Sequence, residues 1–142
     1  MILIDTNVVI DARDTSAASH AWAVKLIEMS VAGEGAGINA VTLAELCAGS
    51  PNPADIEPEI RKLGLDILDL PAVASTVCGA AYRRYTVLRR ASGGGVAPKI
   101  PLPDFFIGAH AEIMGWKLAT RDAERIARYF PKIHLLTPKK IL

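Results

Sequence analysis

The sequence predicts an α/β protein, a single domain over residues 1–142, with a mainly parallel central sheet of about five strands and helices on both faces. Three observations carry this expectation. A chain of 142 residues suffices for one compact domain with a core of its own. The stretches "MILID", "INAV", "LDILDL", "WKLAT" and "IHLLTP" are short, nearly continuous apolar runs, the pattern of strands covered on both sides. Helical patterns separate these runs, which implies parallel strands joined by crossovers.

Taken in order, "MILID" opens the sheet and ends in the polar turn Asp5-Thr6-Asn7, from which a helix can start near Val8. A helix follows over 16–31, with Ala18, Trp22, Leu26 and Ile27 on one face, until "GEGAG" breaks it. "INAV" is the second strand. "TLAELCAG" is a short helix closed by Gly49, with Pro51 and Pro53 beyond it. "ADIEPEIRKLG" is another helix, with Pro58 near its start or splitting it. After "LDILDL", Pro71 leads into a long helix over 72–91 whose inward face is drawn from Val73, Val77, Ala81 and Leu88. "SGGGVAPKIPLP" is a loop rich in Gly and Pro, too short to divide the chain. "DFFIGAHAEIMG" and "DAERIARYF" are helices on either side of "WKLAT", and "IHLLTP" closes the sheet.

Composition narrows the function. The formal net charge is only +1, so no global positive field recruits nucleic acid, and a basic footprint has to be local. Cys47 and Cys78 lie in Ala-rich helical contexts and read as small buried thiols, which suits a reducing cytoplasm. No basic segment precedes an apolar one as in a signal peptide, and no apolar stretch approaches about 18 residues, so neither export nor a membrane span is expected. "GGG" is not followed by Gly-Lys-Ser/Thr and is no P-loop. His20, His110 and His134 read as structural or surface residues, and Trp22 and Trp116 as core.

Four carboxylates stand out, each with an ordinary local explanation. Asp5 can cap the helix after the first strand. Glu45 ends Thr-x-x-Glu, a capping box in which it would bond back to the Thr42 amide. Asp104 follows Pro103 in a first helical turn, where the helix dipole favours negative charge. Asp122 can cap "AERIARYF". Together they mean more. In an open parallel sheet, strand carboxyl ends and the amino ends of the following helices share one edge, so all four can meet in one crevice. Packed carboxylates repel, and only a cation makes such a cluster affordable. All-oxygen ligation suits Mg²⁺ or Mn²⁺. Zinc is disfavoured, because none of the three histidines is spaced with a cysteine as a ligand pair.

In this order and spacing, "LIDTNVVID", "TLAEL", "LPDFFIGAHAEIMGWKLATRD" and the closing "FP" and "HLLTP" resemble the PIN-domain family, most closely its VapC-type toxins. The resemblance spans Met1 to about Pro138. It implies a metal-dependent endoribonuclease, the toxin of a toxin–antitoxin pair, that cuts RNA to leave 5′-phosphate and 3′-hydroxyl ends. The family's acidic positions fall on Asp5, Glu45, Asp104 and Asp122, and its polar supporting positions on Thr6 or Asn7 and Thr120. Asp5 and Asp104 are then the first choices as Mg²⁺ or Mn²⁺ ligands, Glu45 a ligand or the residue that orients the attacking water, and Asp122 a ligand or outer partner. Thr120 and Asn7 would orient the carboxylates. The implied partners are RNA, a second copy in a homodimer, and a VapB-like antitoxin whose tail lies along a groove.

Arg83, Arg84, Arg89, Arg90 and Lys99, on or near the loop before Asp104, are either a solvated helix end or a phosphate-tracking patch. Arg121, beside Asp122, is a further phosphate contact. Two other functions stay open at this point. One is an aspartyl-phosphate type of phosphatase, with "DTN" after the first strand, although Asn7 stands where a second Asp is expected. The other is a PIN-like module that binds without cutting.

Overall fold

Strand β1 (Ile2–Ile4) lies at the middle of a five-stranded sheet, paired in parallel with β2 (Ala36–Asn39) on one side and β4 (Lys117–Ala119) on the other. Strand β3 (Asp66–Leu68) pairs with β2 and β5 (Leu135–Leu136) with β4, so the order is β3-β2-β1-β4-β5 and every pairing is parallel. The computed structural model describes residues 1–139.

Alternation along the strands splits the core in two. Ile2 and Ile4 join one buried cluster and Leu3 the other; Ala119 and Leu118 divide in the same way. The first cluster is covered by α1 (Thr6–Arg13), α2 (His20–Ala32), α3 (Ala40–Ala48) and α4 (Ile56–Lys62), through Val8, Val9, Ala23, Ile27, Leu46, Ile56 and Ile60. The second is covered by α5 (Ala74–Ala91), α6 (Pro103–Met114) and α7 (Ala123–Tyr129), where Tyr82, Phe105, Tyr129 and Phe130 pack edge to face or tilted. Trp22 and Trp116 pack half-buried against the first and second clusters respectively. Pro58 falls in the first turn of α4, where its missing N–H has no intrahelical role. Gly115 ends α6 in the left-handed conformation, at φ 65°.

Three local expectations are corrected. The first two helices start elsewhere than expected: α1 begins at Thr6, directly on the Asp5 cap, rather than near Val8, and α2 begins at His20 rather than near Ser16. Between them the Asp14 carboxylate accepts from the Ser16 amide and hydroxyl, a polar turn that competes with helix. The Thr42–Glu45 capping box does not form. Asn39, the last residue of β2, is the N-cap of α3 and takes the amides of Val41 and Thr42 at 3.1 Å each. The inward face of α5 runs through Ala74, Cys78, Ala81 and Tyr82, whereas Val73 and Leu88 are 65% and 48% exposed. Cys78 is buried and Cys47 half-buried, and both are free thiols.

The topology makes the site. Successive strands step outward from β1 to β2 to β3, then the chain returns to place β4 on the other flank of β1. The connections leaving β1 and β4 therefore diverge to opposite faces, and a crevice opens between their carboxyl ends. Asp5 leaves β1 there, and Thr120 leaves β4.

Candidate active site

Asp5 is the centre of the crevice. It caps α1, with Oδ1 accepting from the Thr6 amide at 2.7 Å, and its other oxygen reaches beyond the cap. Oδ2 accepts from the Thr120 hydroxyl at 2.7 Å and from Asn7 Nδ2 at 3.2 Å. The carboxyl is 5% exposed. Burial is the main cause that pushes its pKa up to about 6; the Thr120 hydrogen bond opposes this, the Asp104 charge adds to it, the Thr6 amide opposes, and the Glu45 charge adds again. Two other carboxylates thus act on Asp5 from distant parts of the chain.

Glu45, set free by the Asn39 cap, stands exposed on α3 and accepts from the Thr6 hydroxyl at 2.7 Å. The Thr42 hydroxyl lies 3.1 Å from the same Thr6 oxygen. Thr6 is therefore the bridge from the Asp5 turn to Glu45. Asp104 sits in the first turn of α6, as the dipole favours, and pairs with Arg125 Nη1 at 3.2 Å. Asp122 precedes α7, yet its side chain makes no capping hydrogen bond; its amide donates to Thr120 Oγ1 at 3.2 Å. The exposed Asp122 lines a cleft next to Arg125. Three of the four acids share a field at Asp5, and Asp122 stands at the rim. Among the described residues, no three His, Cys, Asp or Glu side chains stand close enough to hold a metal ion between them.

The polar supports knit strand ends together. Asn7 Oδ1 accepts from the Arg121 amide at 3.0 Å while its Nδ2 faces Asp5, so one side chain joins α1 to the turn after β4. Thr120 Oγ1 lies 3.4 Å from the same Nδ2.

The basic residues do not form one patch. Arg84 Nη2 donates to the Tyr129 carbonyl at 3.0 Å, and Arg89 donates to the Gly94 carbonyl and the Tyr85 hydroxyl. Arg121 Nε lies 2.9 Å from the buried Asp11 carboxylate. Arg83, Arg90 and Lys99 line a separate groove of α5 and its following loop, pinned by the Tyr82 hydroxyl donating to the Pro98 carbonyl. His110 is structural: buried beside Trp116, it meets Asn39 Nδ2 through Nδ1 at 3.3 Å, and burial depresses its pKa.

Sequence reasoning missed Arg125, Arg128, Tyr85 and Asp11. A signal for the arginines existed, since 122, 125 and 128–129 share a helical face in "DAERIARYF". Nothing local marks Tyr85 or Asp11, whose partners lie far along the chain.

Fold and site together define an open-sheet α/β protein with a buried carboxyl, Asp5, in a crevice at its topological switch point. A sequence model of the PIN domain matches residues 2–130, and the chain belongs to the PIN-domain family. Solved structures of similar fold include FitAcB from Neisseria gonorrhoeae, with 21% identity, TM-score 0.69, and coverage of 99% of this chain and 100% of that one. VapBC2 from Rickettsia felis bound to a promoter DNA fragment is similar at 21% identity and TM-score 0.65, covering 98% of this chain and 100% of that one. A toxin–antitoxin complex from Klebsiella pneumoniae is similar at 21% identity and TM-score 0.63, covering 99% and 100%. No curated protein matches the chain. Among the described residues, no helix is long and apolar enough to cross a membrane.

Proposed function

We propose that the chain is a VapC-type toxin, a Mg²⁺- or Mn²⁺-dependent endoribonuclease of the cytoplasm, held in check by a VapB-like antitoxin and paired with itself as a homodimer. The observation that carries this reading is Asp5: a carboxyl at the β1/β4 crevice whose pKa is pushed up mainly by burial, with the Asp104 and Glu45 charges adding to it. Membership of the PIN family, and full-length likeness in fold to proteins described as VapBC and toxin–antitoxin complexes, support the biological class.

The donor chemistry fits a hard divalent cation. Every candidate ligand is a carboxylate, and among the described residues Asp5 has no cationic partner of its own. Asp5 and Asp104 would hold the ion; Glu45 and Asp122 would join them only by moving inward, since among the described residues no three such side chains stand close enough to share one ion. Such an ion supplies charge neutralisation at a phosphate and a more acidic bound water. The chain's own residues do the rest. Thr120, Asn7 and the Thr6 amide aim both Asp5 oxygens, and Thr6 aims Glu45, whose free oxygen is the candidate acceptor for a water proton. The phosphatase reading loses ground, because Asn7 is committed to Asp5 and Arg121 and no second acid follows Asp5.

The test is incubation of the chain with total cellular RNA and Mg²⁺ or Mn²⁺, with Asp5→Asn beside it. Ends bearing 5′-phosphate in the wild type alone support the reading. Cleavage that survives in Asp5→Asn, or hydrolysis of a small phosphomonoester in place of RNA, overturns it.

A further inference from the structure

Arg125 stands between the acids and a cleft of about 280 Å³ lined by Tyr85, Asp122, Glu124, Arg125, Arg128 and Tyr129. Its bond to Asp104 is a single contact at 3.2 Å, with the two side chains 41% and 39% exposed. A pair so wet and one-pronged is weak and reversible. The guanidinium has a second, independent hold: its carbon lies 5.5 Å from the centre of the Tyr85 ring. That ring is a firm platform, packed against Tyr82, Phe105 and Tyr129 and receiving a hydrogen bond from Arg89 on its hydroxyl. Among the described residues Arg125 makes no hydrogen bond besides that to Asp104, and Arg128 makes no ion pair. The other N–H donors of both arginines have no protein acceptor among the described residues.

The charges decide what the cleft accepts. Two arginines face two carboxylates on its wall, and Asp104 draws on one of the arginines, so the metal-free cleft has no net positive charge with which to attract an anion. A divalent ion on Asp5 and Asp104 would take over the work that Arg125 does for Asp104, and the guanidinium, kept over the Tyr85 ring, would then be free.

We propose that Arg125 is a two-state side chain: counter-ion of Asp104 without metal, and ligand of an RNA phosphate in the Tyr85–Arg128 cleft once a divalent ion occupies the acids. The inference rests on the ribonuclease reading and deepens it. It makes metal and RNA cooperative ligands, because each favours the same position of one arginine. Glu124 and Asp122, also on the wall, set the cost of anion entry, and Arg128 supplies the second phosphate contact.

The test measures two affinities that move in opposite directions. Binding of Mn²⁺ alone is titrated in the wild type, Arg125→Gln and Arg125→Lys, with melting curves to show that all three are folded. Removing the competing cation should tighten Mn²⁺ about two- to fivefold in Arg125→Gln, the range of a half-exposed ion pair, and leave Arg125→Lys near the wild type. Binding of a labelled oligoribonucleotide is followed by anisotropy in Ca²⁺ and in EDTA. Arg125→Gln should weaken it about tenfold in Ca²⁺ and not at all in EDTA, and the KM for RNA should rise more than kcat falls. Unchanged or weaker Mn²⁺ binding in Arg125→Gln, with RNA still cleaved by the wild type, overturns this inference alone. A wild-type chain that neither binds nor cuts RNA in any divalent metal overturns the ribonuclease reading, and the phosphate role with it.

Discussion

The Thr120 hydroxyl donates to Asp5 Oδ2 at 2.7 Å, joining the ends of two adjacent strands that lie 115 residues apart in the chain. This bond holds down the pKa of a carboxyl that burial pushes up, and it turns the free oxygen of a helix cap toward the crevice. Thr120→Val keeps the shape of the side chain and removes the donor. It should cost about 1–3 kcal/mol in chemical denaturation, because a buried carboxylate oxygen loses its best partner, and it should lower RNA cleavage. Thr120→Ser should restore most of both; a valine variant as stable as the wild type would contradict the assigned role.

Asp5 also sets a pH dependence. Its carboxyl titrates near 3.8 when unfolded and at about 6 in the fold, so the folded chain binds the extra proton between those values. The stability this protonation confers is complete below the unfolded value and is lost as pH rises through about 6, amounting to at most about 3 kcal/mol. Other groups titrate over the same range, so the quantity to measure is the difference between wild type and Asp5→Asn in EDTA. That difference should move in favour of Asp5→Asn as the pH is raised from about 4 to 7, and then level off. A flat difference would show that Asp5 is not strained by burial.

The same proton competes with metal. Mn²⁺ should raise the melting temperature of the wild type more at about pH 7.5 than at about pH 5.5, since the ligand must be deprotonated to bind. Asp5→Asn should show little shift at either pH. An equal shift in both proteins would place the ion elsewhere.

Asn39 ends β2, caps α3 through two amides, and faces the buried His110. Asn39→Ala should cost about 1–2 kcal/mol from the cap alone, and leaving His110 Nδ1 without its partner adds to this. Since the cap sets where Glu45 emerges, cleavage should fall further than the melting temperature predicts. Equilibrium unfolding together with kcat separates the two effects.

Gly108 lies inside α6, where alanine would ordinarily gain about 0.5–1 kcal/mol. Here a Cβ would come within 2.5 Å of the Phe130 ring, which is buried in the second core. Overpacking of about 1–3 kcal/mol wins, so Gly108→Ala should destabilise the protein. A gain in stability would mean that the Phe130 ring moves aside without cost.

Much of this was legible beforehand because it depends on local pattern. Five apolar runs separated by helical stretches specify a covered parallel sheet, and the acids stand just beyond strands or at helix starts. Local pattern is ambiguous where two local solutions compete. Asn39 and Thr42 are both good caps for α3; pairing of β2 with its neighbours carries the strand to Asn39, which therefore wins. The face of α5 follows the aromatic cluster of Tyr82, Tyr85, Phe105 and Tyr129, so Val73 and Leu88 turn outward. Residues 83–90 read in the sequence either as a solvated helix end or as a phosphate-tracking patch, and only the structure shows that carbonyls and a tyrosine hydroxyl claim Arg84 and Arg89.

The sequence by itself determined the fold class, the family and which carboxylates to watch, because periodicity and residue type act over a few neighbouring positions. Only the tertiary structure decided what each charge answers to: Asp5 to Thr120, Glu45 to Thr6, Asp104 to Arg125, Arg121 to Asp11. Electrostatic energy depends on distance and burial in space, and β1 and β4, over a hundred residues apart, become neighbours only when the sheet closes between them.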